Sequence, residues 1–381
     1  MMVLNDRRRL LGACAGTAAI VLALSGCAGG AADAESGEAS AGGSEECIAA
    51  VASAVEEGLA PSPLVAPSAP LDLAALSGKS IWYITNSHNQ FSTEMASGVQ
   101  EAGEEAGVKI TVFDGQNSTS RYSEGINQAV AQGADGIILM AIQPSVVAED
   151  LKAAEAAGVQ VLSTLNGDPT EPVEPGTFGN FTADYTADGE LMAQWVLNDS
   201  GCTSKSVVVQ SSPVHVWDLA AKGFEAATKE LCPEDCSVEV IDLDPANIAN
   251  DLGNQLQTAL QTSPDVDYVV PVWDSAIPLV APVVATAGRP ITVFAHDGIS
   301  ESLELIASGQ DQQGTLAMAP PTWIGWAAFD EVARAILGEE SPGYVIPTRL
   351  ITEENVGDGS IADVSPEYVD FQSAFTEAWS Q

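Results

Sequence analysis

Residues 80–85 read SIWYIT, a short run of β-branched and aromatic side chains of the kind that forms a buried strand. A polar stretch from Asn86 to Gln90 follows. Then come residues 92–106, where Met95, Val99 and Ala102 recur at the spacing of one helix face. Gly107 closes that helix, and residues 108–113 are apolar again. The pattern is strand, helix, strand, with a polar loop at the carboxyl end of the first strand. In open parallel sheets that end is where ligands bind.

The alternation continues along the chain. Helices are predicted over 119–132, 145–157 and 184–197, and strands over 136–141, 159–163 and 177–181. The segment 168–175 holds three prolines and reads as loop. A second set follows, with strands over 206–210, 238–242, 268–272, 291–295, 314–318 and 344–351. Its helices are predicted over 218–231, 248–261, 276–287, 300–308, 323–337 and 366–379. Strands alternating with helices imply an α/β fold with parallel sheets and right-handed crossovers. About ten such units are too many for one open sheet of ordinary size, so two doubly wound parallel-sheet lobes are expected. No sequence repeat of fixed period underlies the alternation.

The first 78 residues break the pattern. Arg7-Arg8-Arg9 followed by the apolar run 10–24 has the form of an export signal and is short for a membrane span. It ends in Leu24-Ser25-Gly26-Cys27, which resembles the bacterial lipoprotein box and implies cleavage before Cys27 and lipidation of that thiol. Residues 1–26 are then a lipoprotein signal peptide. Residues 27–46, built of Ala, Gly, Ser and acidic side chains, are a disordered tether. Residues 47–78 are a short helix and a proline-rich strap.

Composition narrows the function. The 381 residues carry 13 basic and 53 acidic side chains, a formal charge of −40, which repels phosphate backbones and argues against nucleic-acid binding. With Cys14 in the signal and Cys27 lipidated, Cys47, Cys202, Cys232 and Cys236 remain, and four cysteines allow three pairings. Cys202 and Cys236 each precede a predicted strand, so a bridge from Cys202 to Cys232 or Cys236 is expected if those strands are neighbours. No histidine lies near Cys232-Pro233-Glu234-Asp235-Cys236, so no metal site is expected there.

Motifs spread from Lys79 to Ile351 resemble those of the type I periplasmic binding proteins, within them the ribose-binding-like group that serves ABC importers. Asn89-Gln90-Phe91 stands where that family has Asn-Pro-Phe. Asp114-Gly115-Gln116-Asn117, Gly133-Ala134-Asp135-Gly136 and Thr182-Ala183-Asp184 match further steps, as do Lys222-Gly223-Phe224, Pro264-Asp265-Val266-Asp267, Trp273-Asp274, Asp297-Gly298 and Gly338-Glu339. The resemblance implies two lobes, 79–182 plus 319–344 and 183–318 plus 345–381, joined by three crossings near Thr182, Met318 and Val345. It also implies a small-molecule ligand, an ABC permease and its ATPase as partners, a monomer, no cofactor, no metal, and attachment to the outer face of the cell membrane through lipid on Cys27.

By family position the ligand contacts are Asn89 and Phe91 from the first lobe and Asp218, Trp273, Asp274 and Asp297 from the second. His88, Gln143, Asn166, Trp217, His296 and Trp323 are adjacent candidates. The departures from the family are informative. Leu165-Asn166 replaces an Asp-Arg pair, Asp218 an Arg, Trp273 an Asn, and Ala319 falls where a Gln is expected. The cleft loses guanidinium donors and gains acid and indole, which disfavours an anionic ligand. A sugar or polyol-like solute is the leading expectation. A cationic or flat aromatic, nucleoside-like ligand is the alternative, as is a sensor role beside a receptor. An enzyme is not expected. His88, His215 and His296 are the only histidines, none lies in a catalytic motif, and neither a Gly-x-Ser-x-Gly nor a phosphate-binding loop is present.

Overall fold

A computed structural model describes residues 41–380 of the protein. The segment 1–26 expected to be a signal peptide, Cys27 and residues 28–40 of the expected tether lie outside the described residues. In chain order the elements are α1 (Ala41–Leu59), α2 (Leu73–Leu76), β1 (Ser80–Thr85), α3 (Gln90–Ala106), β2 (Lys109–Asp114), α4 (Thr119–Ala131), β3 (Gly136–Met140), α5 (Ala148–Ala156), β4 (Gln160–Thr164) and β5 (Gly179–Phe181). They continue with α6 (Tyr185–Asp199), β6 (Lys205–Gln210), α7 (His215–Leu231), β7 (Ser237–Asp242), α8 (Ile248–Thr262), β8 (Tyr268–Pro271), α9 (Ile277–Ala285), β9 (Thr292–Asp297), α10 (Ser300–Ala307), β10 (Gly314–Met318), α11 (Pro321–Leu337), β11 (Thr348–Thr352), α12 (Ile361–Val364) and α13 (Phe371–Trp379).

The strands form two sheets, ordered β2-β1-β3-β4-β5 and β11-β10-β9-β8-β6-β7. Every pairing is parallel except β10 with β11. That exception has a topological cause. After β10 the chain crosses to the first lobe to form α11, and it re-enters the second sheet at its edge from the opposite direction. Central strands such as β3 are buried at every residue, as expected of sheets covered on both faces. The crossings at Thr182 and Val345 pair with each other in a parallel bridge, so two of the three hinge segments are hydrogen-bonded together.

Each lobe is built around one very close helix pair. A Cβ on Gly98 would strike the backbone of Thr322, and one on Gly325 the backbone of Met95, so α3 and α11 touch main chain to main chain. Gly189 against Ala220 and Gly223 against Thr186 do the same for α6 and α7.

The chain ends depart from expectation. α1 starts at Ala41, six residues inside the segment read as tether. Its buried stripe of Cys47, Val51 and Val55, spaced four apart, packs on α6 and β11 of the second lobe. The strap then runs across to the first lobe. Ser62 Oγ donates to Thr348 O at 2.9 Å, Trp323 Nε1 to Val65 O at 2.9 Å, and Arg334 to the carbonyls of Ala69 and Pro70 at 2.9 and 3.2 Å. At the other end α13 packs on α11, with Trp379 stacked on Trp326 at 5.4 Å. The C-terminal helix therefore sits on the first lobe rather than the second, and α1 and α13 bind the lobes from outside the hinge.

The disulfide expectation is corrected. Cys202 bonds Cys47, and Cys232 bonds Cys236. The premise held, since β6 and β7 are neighbours in register from Lys205 and Ser237. The packing of α1 on α6 decides the pairing, because it brings the Cys47 Cα to 6.3 Å from that of Cys202. This bridge spans 155 residues. Replacing both Cys47 and Cys202 with Ser is expected to cost roughly 3–5 kcal/mol, mostly by freeing the unfolded chain. Urea unfolding of oxidised wild type and the double variant checks it, and a difference below about 1 kcal/mol would contradict the estimate.

Candidate functional site

The carboxyl ends of both sheets face each other across the cleft. Between them is a cavity of about 50 Å³, enough for a water or two. From the first lobe it is lined by Asn86, Asn89, Phe91, Met140 and Leu165. From the second it is lined by Tyr185, Trp217, Trp273, Asp297 and Met318, with Val214, Val216 and Ser275 between them. Trp217 and Trp273 stack on each other at 4.3 Å with planes 12° apart, forming one indole slab. No Lys or Arg lines the cavity.

Local sequence explains these positions. Asn89 caps α3, with its side chain accepting from Ser92 N at 2.8 Å while Ser92 Oγ accepts from Asn89 N at 3.0 Å. This capping box leaves Phe91 on the first turn, 4% exposed and turned inward. Asp297 ends β9 at φ +119°, a backbone region that is strained for any residue but glycine. The strain is held from beneath. Asp274 Oδ2 accepts from Gly298 N at 2.6 Å and from Ile299 N at 3.2 Å, while Asp274 Oδ1 accepts from Gln312 Nε2 at 3.0 Å and Thr315 Oγ1 at 3.1 Å. Burial, with the charge of Asp297 nearby, pushes the Asp274 carboxyl up to about 7.

Behind Asp297 lies His296, fully buried between two carboxylates. Its Nδ1 is 3.0 Å from Asp297 Oδ1 and its Nε2 is 3.1 Å from Asp188 Oδ2. Thr348 Oγ1 donates to the other oxygen of Asp188 at 2.8 Å, so the row runs from the cavity to β11 beside the hinge. Burial alone would lower the imidazole pKa, but the two carboxylates outweigh it and raise it to about 10. Burial also raises the Asp297 carboxyl, an effect opposed by His296. Tyr185 is held neutral well above its ordinary range by burial and by the charges of Asp297, Asp188 and Asp168.

Of the expected site residues, the structure gathers Asn89, Phe91, Trp217, Trp273 and Asp297 around this cavity. Others go elsewhere. Asp274 and His296 are buried supports of the Asp297 turn rather than cavity walls. Trp323 is fully buried, edge-on to Phe181 and Tyr368 and bonded to the strap, so it is a packing residue. Asp218 pairs with Lys222 at 2.6 Å along α7 instead of facing the cavity. His88 is exposed on the loop.

Gln143 and Asn166 line a second, polar chamber of about 420 Å³ beside the first, together with Ser163, Asn180, Glu171 and His215. His215 Nε2, from α7, bridges to Glu171 Oε1 of the β4–β5 loop at 2.9 Å and ties the two lobes at its rim. A second inter-lobe bond joins Ser300 Oγ to Glu94 at 2.9 Å. The residues missed in the sequence are Asn86, Met140, Ala141, Leu165, Tyr185, Val214, Val216, Ser275 and Met318, all but Asn86 and Ser275 apolar or aromatic. Only their place at strand ends marked them, since apolar residues are the ordinary filling of any core.

A periplasmic binding protein domain matches residues 81–340, more than half of the chain. The chain belongs to that family. A ribose import binding protein of Bacillus subtilis is 22% identical over 276 residues, covering 71% of this chain and 86% of its own. A xylitol-binding protein of Mycolicibacterium smegmatis is 24% identical over 302 residues, 77% of this chain and 82% of its own. Among solved structures, the solute-binding protein of a 5-methylthioribose transporter from Thermotoga lettingae overlays with a TM-score of 0.68 at 18% identity, covering 78% of this chain and 96% of that one. The two-lobed architecture is thus that of the periplasmic binding proteins, with the cavity at the strand ends where the lobes meet. Among the described residues no cluster of His, Cys, Asp or Glu is arranged to hold a metal, and no helix is long and apolar enough to cross a membrane.

Proposed function

We propose that this protein is the solute-binding component of an ABC importer, and that it captures a neutral, hydroxyl-bearing solute, a sugar or polyol, between its lobes. The observation that carries this reading is the strand-end cavity itself. An indole slab and Phe91 offer faces for C–H groups, Asp297 and Asn89 offer acceptors for hydroxyls, and no cation is present to hold an anion. The ligands of the relatives, ribose and xylitol, are of this class. Solute closes the lobes, and the closed form passes it to a permease driven by its ATPase. Export by the signal at 1–26 and lipid on Cys27 place the monomeric protein on the outer face of the cell membrane.

Trp273→Ala and Asp297→Asn are each expected to weaken solute binding by about 1.5–4 kcal/mol. Calorimetry with sugars and polyols tests this, with thermal unfolding as the control for folding. Both variants binding like wild type while remaining folded would remove the cavity from the site. A cationic or flat aromatic ligand is the second reading, favoured by the stacked indoles beside a carboxylate. Binding of quaternary amines with no response to sugars or polyols would decide for it.

A further inference from the structure

His215 opens α7 on the second lobe and stands between Val214 and Val216, two residues of the inner cavity wall. Its Nε2 lies 2.9 and 3.1 Å from the two carboxylate oxygens of Glu171, on the β4–β5 loop of the first lobe. That loop begins with Leu165, which lines the cavity from the other side. The pair thus joins the two segments that wall the cavity, and any opening of the lobes must break it. The side chains are 35% and 38% exposed, so water and protons reach both.

The local backbone is shaped for this contact. Gly167 has φ +106°, and a Cβ there would strike Glu171 Oε2 and come within 3.5 Å of the His215 ring. Glycine leaves the Glu171 carboxylate room to lie against the loop and still reach the facing lobe. On the other side α7 starts without a side-chain cap, since its N-cap residue is Val214. A charged imidazole at the amino end of a helix is disfavoured by the helix dipole. The carboxylate of Glu171 offsets that repulsion only while the lobes are closed.

The other charges around His215 are placed differently. Asp218, one turn along α7, is bonded to Lys222, and Asp242 of β7 holds Ser212 through two bonds of 2.7 Å, all within the second lobe. Asp168 of the facing loop is bonded to Thr186 beside the hinge crossing. Glu174 is exposed at the rim of the chamber and adds to the negative field of that loop. The inter-lobe bond between Ser300 and Glu94 contains no imidazole.

We propose that His215 and Glu171 form a proton-operated latch on the cleft: the protonated imidazole holds the lobes closed, so the protein grips its solute more tightly in acidic than in alkaline surroundings. The proposal rests on the reading of the cleft as a solute site. Both are positioning residues, acting through lobe closure. Closing favours uptake of the proton, and by linkage the proton favours closing to the same extent. Histidine is the side chain whose ordinary titration falls between about pH 5 and 8. For a pair this exposed the gain in affinity is about twofold to fivefold, and it falls mainly on the rate of solute release.

The test has two arms, both on the full chain at about pH 5 and pH 8. Small-angle scattering without added solute reads lobe opening. Wild type should be more compact at the lower pH, Glu171→Gln should lose that difference, and His215→Lys, which keeps its charge, should stay compact at both. Calorimetry with xylitol and D-ribose reads affinity. Wild type should bind about twofold to fivefold more tightly at the lower pH, Glu171→Gln should lose that gain, and His215→Lys should keep it at both. Asp274, which titrates at about 7 within one lobe, is common to all three proteins, so the difference from wild type is the readout. Thermal unfolding of both variants controls for folding. Solute binding with the same pH profile in wild type and Glu171→Gln would overturn the latch and leave the solute-site reading standing. Compactness that ignores both pH and the variants would also overturn it. If neither probe binds while compactness follows the latch, the latch on the lobes stands and the sugar-or-polyol reading fails.

Discussion

Replacing His296 with Leu is expected to destabilise the protein by about 3–5 kcal/mol and to abolish most solute binding. The substitution leaves the carboxylates of Asp188 and Asp297 buried without the cation that stands between them at 3.1 and 3.0 Å. An uncompensated buried charge is the costly outcome, more so than the loss of any contact. It also frees Asp297, whose strained turn points its carboxyl at the cavity. The same row predicts a pH dependence. His296 has its pKa raised to about 10, so its contribution is complete below the ordinary histidine range near 6.5 and is lost as pH rises through 10. Asp274, raised to about 7, acts in the same direction at lower pH, since a buried carboxyl that prefers its proton loses stability as pH rises through that value. Wild-type stability in urea should therefore fall between pH 7 and 10, and His296→Leu should flatten the upper part of that fall. A stability that rises over this range, or a variant with the wild-type profile, would refute the assignment.

The second large effect is expected at Arg334. Its guanidinium grips Asp330 through two bonds of 2.9 and 3.1 Å and reaches Glu339 at 2.9 Å, in a nearly closed environment on α11. The same group holds the strap through the carbonyls of Ala69 and Pro70. Asp330 also receives Trp379 Nε1 at 2.6 Å and Tyr344 Oη at 2.9 Å. One ion pair thus gathers α11, the strap, the C-terminal helix and the last hinge segment. Arg334→Met should cost about 3–5 kcal/mol by leaving Asp330 charged and unpaired. It should also make the proline-rich strap at 60–70 more sensitive to protease. Adding Asp330→Leu should restore only part of the stability, because it removes the buried charge but leaves the Trp379 and Tyr344 donors without their acceptor. A double-mutant cycle in urea measures both effects, and a single-variant cost below about 1 kcal/mol would contradict this account.

Much of the fold was legible because burial writes itself into the chain. Strands such as 80–85 and 136–140 carry near-continuous apolar runs, Ile81 to Ile84 and Ile137 to Met140, since parallel sheets are covered on both sides, and the intervening helices carry apolar residues on one face. The strand-end loops followed from that alternation, and five of the expected contacts, Asn89, Phe91, Trp217, Trp273 and Asp297, do meet there. The roles of Asp274, His296 and Trp323 did not follow. A carboxylate, an imidazole or an indole at a strand end reads the same in sequence whether it faces a ligand or supports the residue that does. The direction of its side chain depends on packing from α10, α6 or the strap, elements far away in the chain.

The chain order of apolar runs, glycines and polar loops thus determined the two α/β lobes and the level at which the site lies, because those depend on local periodicity and on the short reach between consecutive elements, while the crossings followed only from the resemblance to the family. Tertiary structure alone decided the Cys47–Cys202 bridge, the antiparallel return of β11, the seating of α1 and α13 on lobes they do not extend, and the division of the cleft into an apolar cavity and a polar chamber. Each of these joins residues distant in sequence. Such meetings are selected by the summed packing of many side chains, a quantity that no local pattern along the chain contains.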